Sequence, residues 1–241
     1  MTDQTDTPPS PWTRPGFIAA AALVAAIIVA AVIIAVSSSR GTPPTGSAPG
    51  GHPSSTDTAG TPVDLPTAIP STPPAVTWQL VGQSAVPVSA GDGPRTVGGG
   101  TASGYAHTPT GALIAAAQLV VRAGHAAGRA SWEPTITHQF VPGADRDRLL
   151  SGLRAAPDVT TQAGDLSPLA GYVYQAYTPD TAVIGLVYRA TGTGAPTYHV
   201  LTTTLMWRDG DWRMTAPPGG SWLSVNRQAL DLTGVTPWGA N

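Results

Sequence analysis

The feature that most constrains this chain is an apolar run near its start. From Gly16 to Val36 the sequence reads GFIAAAALVAAIIVAAVIIAV, without a charge or a proline. A transmembrane helix needs about 20 such residues to cross the hydrocarbon core, so the run predicts one membrane-spanning helix after a short tail, residues 1–15. The rival reading is a cleaved signal peptide, with Ala35 and Ser37 at positions minus three and minus one of the cleavage site. Apolar regions of signal peptides usually run roughly 7 to 15 residues, which favours the anchor. Arg14 and Arg40 flank the run on either side, so charge does not orient it. An inside tail and an extracytoplasmic C-terminal part is the expected topology, because the short tail then stays where it is made.

The next stretch, residues 37–74, holds nine prolines with many Ser, Thr and Gly and no aromatic residue. Such a composition cannot bury enough apolar surface to offset chain entropy, and it predicts a disordered linker of polyproline II character. Fully extended in that form it would reach on the order of 120 Å.

From Ala75 to Asn241 the chain is long enough for one domain with its own core. Positive and negative side chains nearly balance there, with ten Arg and no Lys against nine Asp and one Glu. No basic footprint for nucleic acid is evident, so direct nucleic-acid binding is not expected. The chain contains no cysteine, which removes thiol catalysis, disulfides and Cys-ligated metal together. Its Arg-only, Asp-dominated, Gly- and Pro-rich usage points to a high-GC coding source.

In that domain AVTWQLVG, Ala75 to Gly82, predicts a strand. GYAHTPTGALIAAAQLVVRAG, Gly104 to Gly124, predicts an amphipathic helix with Thr108 as N-cap, Pro109 in the first turn, and Leu113, Ile114, Ala117, Val120, Val121 and Gly124 on one stripe. Ala144 to Ala155 predicts a second helix. Strands follow at Leu169–Tyr177, Thr181–Ala190, Thr197–Trp207 and Trp212–Thr215, rich in Val, Tyr, Thr and Trp. Asp209-Gly210 predicts a two-residue hairpin turn. Helices followed by a strand meander define an α+β order with helices on one face of a curved antiparallel sheet, and the NTF2-like cone is the expected fold.

GGGTASG, Gly98 to Gly104, lacks the Lys-Ser/Thr of a phosphate loop and reads as a flexible loop. Glu133 is the one acid worth watching for catalysis, placed in a connection, while Asp180, Asp209 and Asp211 fall at turns. No metal-ligand spacing occurs among the histidines, and neither a catalytic residue nor a cofactor is expected. Five residues stand out as partner or pocket contacts: Tyr105 and His107 before the first helix, His199 on a strand, and Trp222 and Trp238 in a tail that looks too irregular for strands. For the two tryptophans, packing onto the domain is weighed above partner contact, although Trp is enriched at binding hot spots.

GYAHTPTGALIAAAQ, followed downstream by WRDGDWRM and a terminal TPWGA, resembles membrane-anchored proteins of actinobacterial integrative and conjugative elements. Their domains are similar to the NTF2-like domains of the VirB8 and TcpC families. The resemblance implies a bitopic, non-enzymatic scaffold of a type IV secretion-like conjugation apparatus, associating with the lipid bilayer, with itself and with other transfer proteins. The long Pro-rich linker and low charge depart from that pattern. A stalked ligand-binding or wall-associated sensor is the alternative, and an enzyme using Glu133 or His199 is a third reading.

Overall fold

In the computed structural model the described residues are 65–162, 164–191 and 196–240. The apolar run Gly16–Val36 and residues 37–64 of the linker lie outside them; no helix among the described residues is long and apolar enough to cross a membrane.

Among the described residues, three α-helices and ten strands form a mixed α and β domain. Strands β1 (Thr77–Val81) and β2 (Ser84–Val88) make one hairpin, and β3 (Thr96–Gly98) and β4 (Thr101–Ser103) make another. Helices α1 (Pro109–Ala123), α2 (Arg129–Gln139) and α3 (Ala144–Ala155) follow. Then come β5 (Leu169–Thr178), β6 (Thr181–Arg189), β7 (Tyr198–Arg208), β8 (Asp211–Met214), β9 (Asn226–Ala229) and β10 (Thr236–Pro237). These last six build one antiparallel sheet in the order β10-β5-β6-β7-β8, and β9 shares the outer edge of β7 with β8. Register shifts in β5 near Ala170 and Gln175 bend that strand and curve the sheet. Asp209 and Gly210 both take positive φ, 52° and 75°, and turn β7 tightly into β8 as expected of Asp-Gly.

Thr108 caps α1: its Oγ1 accepts from the Gly111 amide at 2.9 Å and donates to Asp92 Oδ1 at 2.7 Å. The amphipathic reading of this helix gives way to a more buried one. Pro109, every residue from Gly111 to Leu119, Arg122 and Ala123 are buried, because α1 packs against β2, α2 and the sheet at once. The polar Gln118 and Arg122 are buried with partners. Gln118 Nε2 donates to the Pro87 carbonyl at 2.9 Å, and Arg122 Nε donates to Gln118 Oε1 at 2.9 Å.

Helix α2 corrects the placement of Glu133 in a connection. Its buried stripe is Ser131, Trp132, Thr135, Ile136 and Gln139, helical in period yet mostly polar, so hydrophobic spacing does not reveal it. Pro134 sits inside α2 and cannot donate to the Ala130 carbonyl. That carbonyl faces the β3–β4 turn, where a Cβ on Gly100 would lie 2.0 Å from it. GGGTASG is accordingly a tight hairpin and not a flexible loop: Gly99 and Gly100 take φ of 56° and 82°, and the Gly100 carbonyl accepts from Arg122, Ser131 and Thr135. The tail is likewise ordered into β9 and β10, where an irregular segment was expected.

Thr108→Ala removes the cap and the bond to Asp92, and is expected to cost about 1 kcal/mol of stability. Thr108→Ser is expected to retain most of it. Urea unfolding followed by tryptophan fluorescence measures both.

Candidate functional site

Two places gather the polar chemistry of the domain. The first is the entrance to α1, and it is structural. Asp211, at the start of β8, is buried and spends its carboxylate on backbone: Oδ1 accepts from Tyr105 N at 3.0 Å and Trp212 N at 2.9 Å, and Oδ2 from Gly104 N at 2.9 Å. Trp212 Nε1 adds a bond to the Ala106 carbonyl at 3.0 Å. Placing Asp211 at a turn misses this burial.

Tyr105 lies in the same wall, 1% exposed, its hydroxyl without a hydrogen-bond partner among the described residues. Burial, then the Asp211 charge, raises its phenol well above the ordinary range, while Arg122 opposes the shift. His107 donates from Nε2 to the Pro179 carbonyl at 2.6 Å and stacks on Trp207, centroids 3.9 Å apart and 4° from parallel. Its ring joins the loop before α1 to the β5–β6 turn, a distant backbone contact and not a local one.

Glu133 lies toward the surface between Arg129 on its own helix, at 2.8 Å, and Arg154 on α3, at 2.6 Å. Hydrogen bonds from Arg129 and then Arg154 lower its pKa below the ordinary 4.5. The acid ties α2 to α3 and does not face the sheet's interior. His199, half-buried, pairs in the sheet between Tyr188 of β6 and Gln228 of β9. Among the described residues no group of three or more His, Asp or Glu is placed to hold a metal ion.

The second place is a surface groove of about 680 Å³ where the chain enters the domain. Pro73 and Pro74, Trp78 of β1, Leu169 of β5, Tyr198 of β7 and Trp238 beside β10 line it, with Arg189 at the end of β6. Trp238 is the hub. Its ring meets Trp78 at 5.2 Å and Tyr172 at 5.6 Å, and Tyr172 meets Tyr174 edge-on at 5.7 Å. Offset and edge-to-face contacts like these suit the aromatic quadrupole.

The cluster holds the incoming chain by its carbonyls. Trp238 Nε1 donates to Pro74 O at 3.3 Å, and the Tyr172 hydroxyl to Thr72 O at 3.5 Å. Burial raises the phenols of Tyr172 and Tyr174, which keeps both protonated and able to donate. Tyr174 gives its proton to Pro109 O at 2.6 Å, linking the cluster to the first turn of α1. Sterics before proline push Thr72 and Pro73 toward extended or polyproline II backbone. An extended segment read through two carbonyls by aromatic donors is the chemistry by which aromatic grooves bind proline-rich peptides.

Residues 39–237 match a family described as a domain of unknown function, DUF8175. The chain belongs to the DUF8175 family. No curated protein and no solved structure matches it. The family match begins well upstream of β1, so it takes in the Pro-rich stretch as well as the folded DUF8175 domain.

Of the five residues singled out from sequence, only Trp238 lines this groove. Tyr105 and His107 lie at the α1 entrance, His199 lies in the sheet, and Trp222 packs on Phe140 at 6.4 Å. Trp78, Tyr172, Tyr198 and Arg189 belong to the groove's architecture and were not selected as contacts. Their strands are legible in the sequence, but the pairing of β10 with β5 that brings Trp238 to them is a long-range contact without a local signal.

Trp238→Phe keeps an aromatic ring but deletes the bond to Pro74, with an expected cost of about 1 kcal/mol and faster limited proteolysis within residues 65–74. For Glu133, a folded pKa below the unfolded value means that its contribution is present above about pH 4.5 and lost as pH falls through the lowered value. The stability difference between wild type and Glu133→Gln should therefore shrink from pH 6 to pH 3, as read from urea midpoints.

Proposed function

We propose that this DUF8175 chain is a membrane-anchored, non-enzymatic scaffold or assembly component of a conjugative, type IV secretion-like DNA-transfer apparatus. Its domain would stand on the extracytoplasmic side as an NTF2-like cone on a Pro-rich stalk. The anchor rests on the apolar run Gly16–Val36, and the cone reading on three helices against a curved antiparallel sheet.

The observation that carries the scaffold reading is how the interior is filled. Where an enzyme of cone shape keeps a cavity with a carboxylate inside, α1 packs its buried Leu113, Ile114 and Leu119 into one core with Ile184, Leu186 and Leu205 of the sheet. The two acids nearest to a catalytic role have structural work: Asp211 holds backbone amides and Glu133 bridges two arginines. What the domain offers outward is the aromatic groove at the stalk's entry, a surface suited to extended protein segments.

The groove also favours a second reading, a stalked sensor that binds a wall or peptide ligand there. A clean deletion in a donor strain separates the two. Transfer frequency falls for a scaffold and recovers with the wild-type gene supplied in trans, and cross-linking recovers membrane ATPases and other element-encoded proteins. Unchanged transfer would overturn the scaffold reading.

A further inference from the structure

Charge gathers at a third place, the corner of the sheet formed by β7 and β8, and it does so differently from the helices. On α2 and α3 every arginine has an acid at 3.0 Å or less: Arg129 and Arg154 on Glu133, Arg146 on Asp147, and Arg148 on Asp145. On the β7–β8 hairpin Arg208 stands opposite Asp211 in the register and Arg213 opposite Met206, so the two arginines are diagonal neighbours on one face, within reach of long side chains. Asp211 does not neutralise them, because its carboxylate is spent on the amides of Gly104, Tyr105 and Trp212. A third donor group comes from α2. Val141 N donates to Met214 O at 2.8 Å, which lays the chain after α2 along β8, and the Arg213 guanidinium donates to the His138 carbonyl.

Arg208, Arg213 and His138 line one surface cavity of about 330 Å³, with Phe140 and Pro142 as its apolar wall and Asp209 as the acid at its rim. The bond to His138 O answers the carbonyl end of α2, where a cation suits the helix dipole. It uses one N–H of Arg213. The other N–H groups of Arg213, the Arg208 guanidinium and the His138 ring have no acceptor among the described residues, and the Asp209 carboxylate is bonded to neither arginine. Like charges gathered on one sheet face repel, and an anion between them removes that cost.

The arrangement of donors selects the anion. A planar carboxylate has two oxygens, and one guanidinium fork satisfies both. A terminal phosphate has three oxygens at tetrahedral directions, and here three donor groups arrive from β7, β8 and α2. We propose that this cavity binds the terminal phosphate of a phosphomonoester, held by Arg208, Arg213 and His138, with Phe140 and Pro142 against the body that carries it. Asp209 opposes the anion and keeps binding reversible. The phosphate belongs to a soluble molecule or to a lipid head group. The cavity shares no residue with the aromatic groove, and the inference does not need the role in DNA transfer.

Inorganic phosphate is the probe, and its phosphorus NMR line width is followed as the full-length chain is added in a phosphate-free maltoside detergent, with ionic strength held constant by chloride. Broadening is expected to saturate. Arg208→Gln weakens binding about tenfold, the loss of one charge-assisted hydrogen bond. Asp209→Asn tightens it, since Asn tolerates the positive φ of this turn position while removing the charge. Arg227→Gln, which removes an equally exposed arginine outside the cavity, leaves binding unchanged. No broadening, broadening that never saturates, or an equal loss in Arg208→Gln and Arg227→Gln overturns the proposal. Nanodiscs then identify the source: phosphatidylcholine discs containing phosphatidic acid abolish binding of the free probe where the site takes a lipid head group, and leave it intact where the site takes a soluble phosphomonoester.

Discussion

Helix α1 is the element on which the rest of the domain depends, because it is buried on nearly every side and its exposed end groups therefore need protein partners. Its N-terminus and the chain leading into it find them in β5, β8 and the loop after β2. Thr108 supplies the side-chain cap and is itself held by Asp92; Tyr174 donates to the Pro109 carbonyl; Asp211 fixes the approach at Gly104 and Tyr105; and Trp212 fixes it at Ala106. A helix in water could leave these groups to solvent. Here the entrance is a junction where the β1–β2 region, the sheet and the helix layer are joined by hydrogen bonds to backbone, so the local conformation and the tertiary arrangement are specified together.

The buried polar residues extend the same logic along the helix. Gln118 and Arg122 join β2 to the β3–β4 turn across α1, and Gln139 of α2 bonds the Ala102 amide and carbonyl, satisfying the edge of β4 as a neighbouring strand would. Burying such groups is costly unless they are paired. Pairing them to backbone fixes register, since a slip of one residue in β4 would leave both the amide and the strand unsatisfied.

These features also explain what was legible in the sequence. Thr108-Pro109, Asp209-Gly210, the Ala144–Ala155 helix and the strands β5 to β8 are local signals, and each lies within one or two residues of its observed place. Helix α2 was hidden because its inward stripe is largely Ser, Thr and Gln around a proline, a pattern that hydrophobic periodicity does not register. Strands β9 and β10 were hidden because they are short and exist through pairing with β7 and β5. The groove was the least legible part. Trp238 stands out as a large aromatic near the chain end, but its partners Trp78 and Tyr172 come from distant strands, and composition does not say which tryptophans meet. The emphasis on Tyr105 and His107 followed from their position before a helix, where the structure gives them packing and backbone contacts.

The placement of the groove has a mechanical consequence. The segment entering the domain, Thr72–Pro74, and the last strand, Thr236–Pro237, converge on the same edge of the sheet, with Trp238 bonded to Pro74 O by its indole and to Ala170 O by its amide. Among the described residues the incoming segment is held by one indole hydrogen bond at Pro74 and one tyrosine hydroxyl at Thr72 before the backbone continues into β1. Antiparallel ladders resist separation through many hydrogen bonds acting together, whereas the two-residue edge strand β10 has few, so the entry clamp belongs to the low-stability end of this fold. The aromatic cluster at that clamp is also joined to the helix layer, since Tyr174, packed on Tyr172, donates to the Pro109 carbonyl, so the entry of the chain and the first turn of α1 share one set of aromatic contacts.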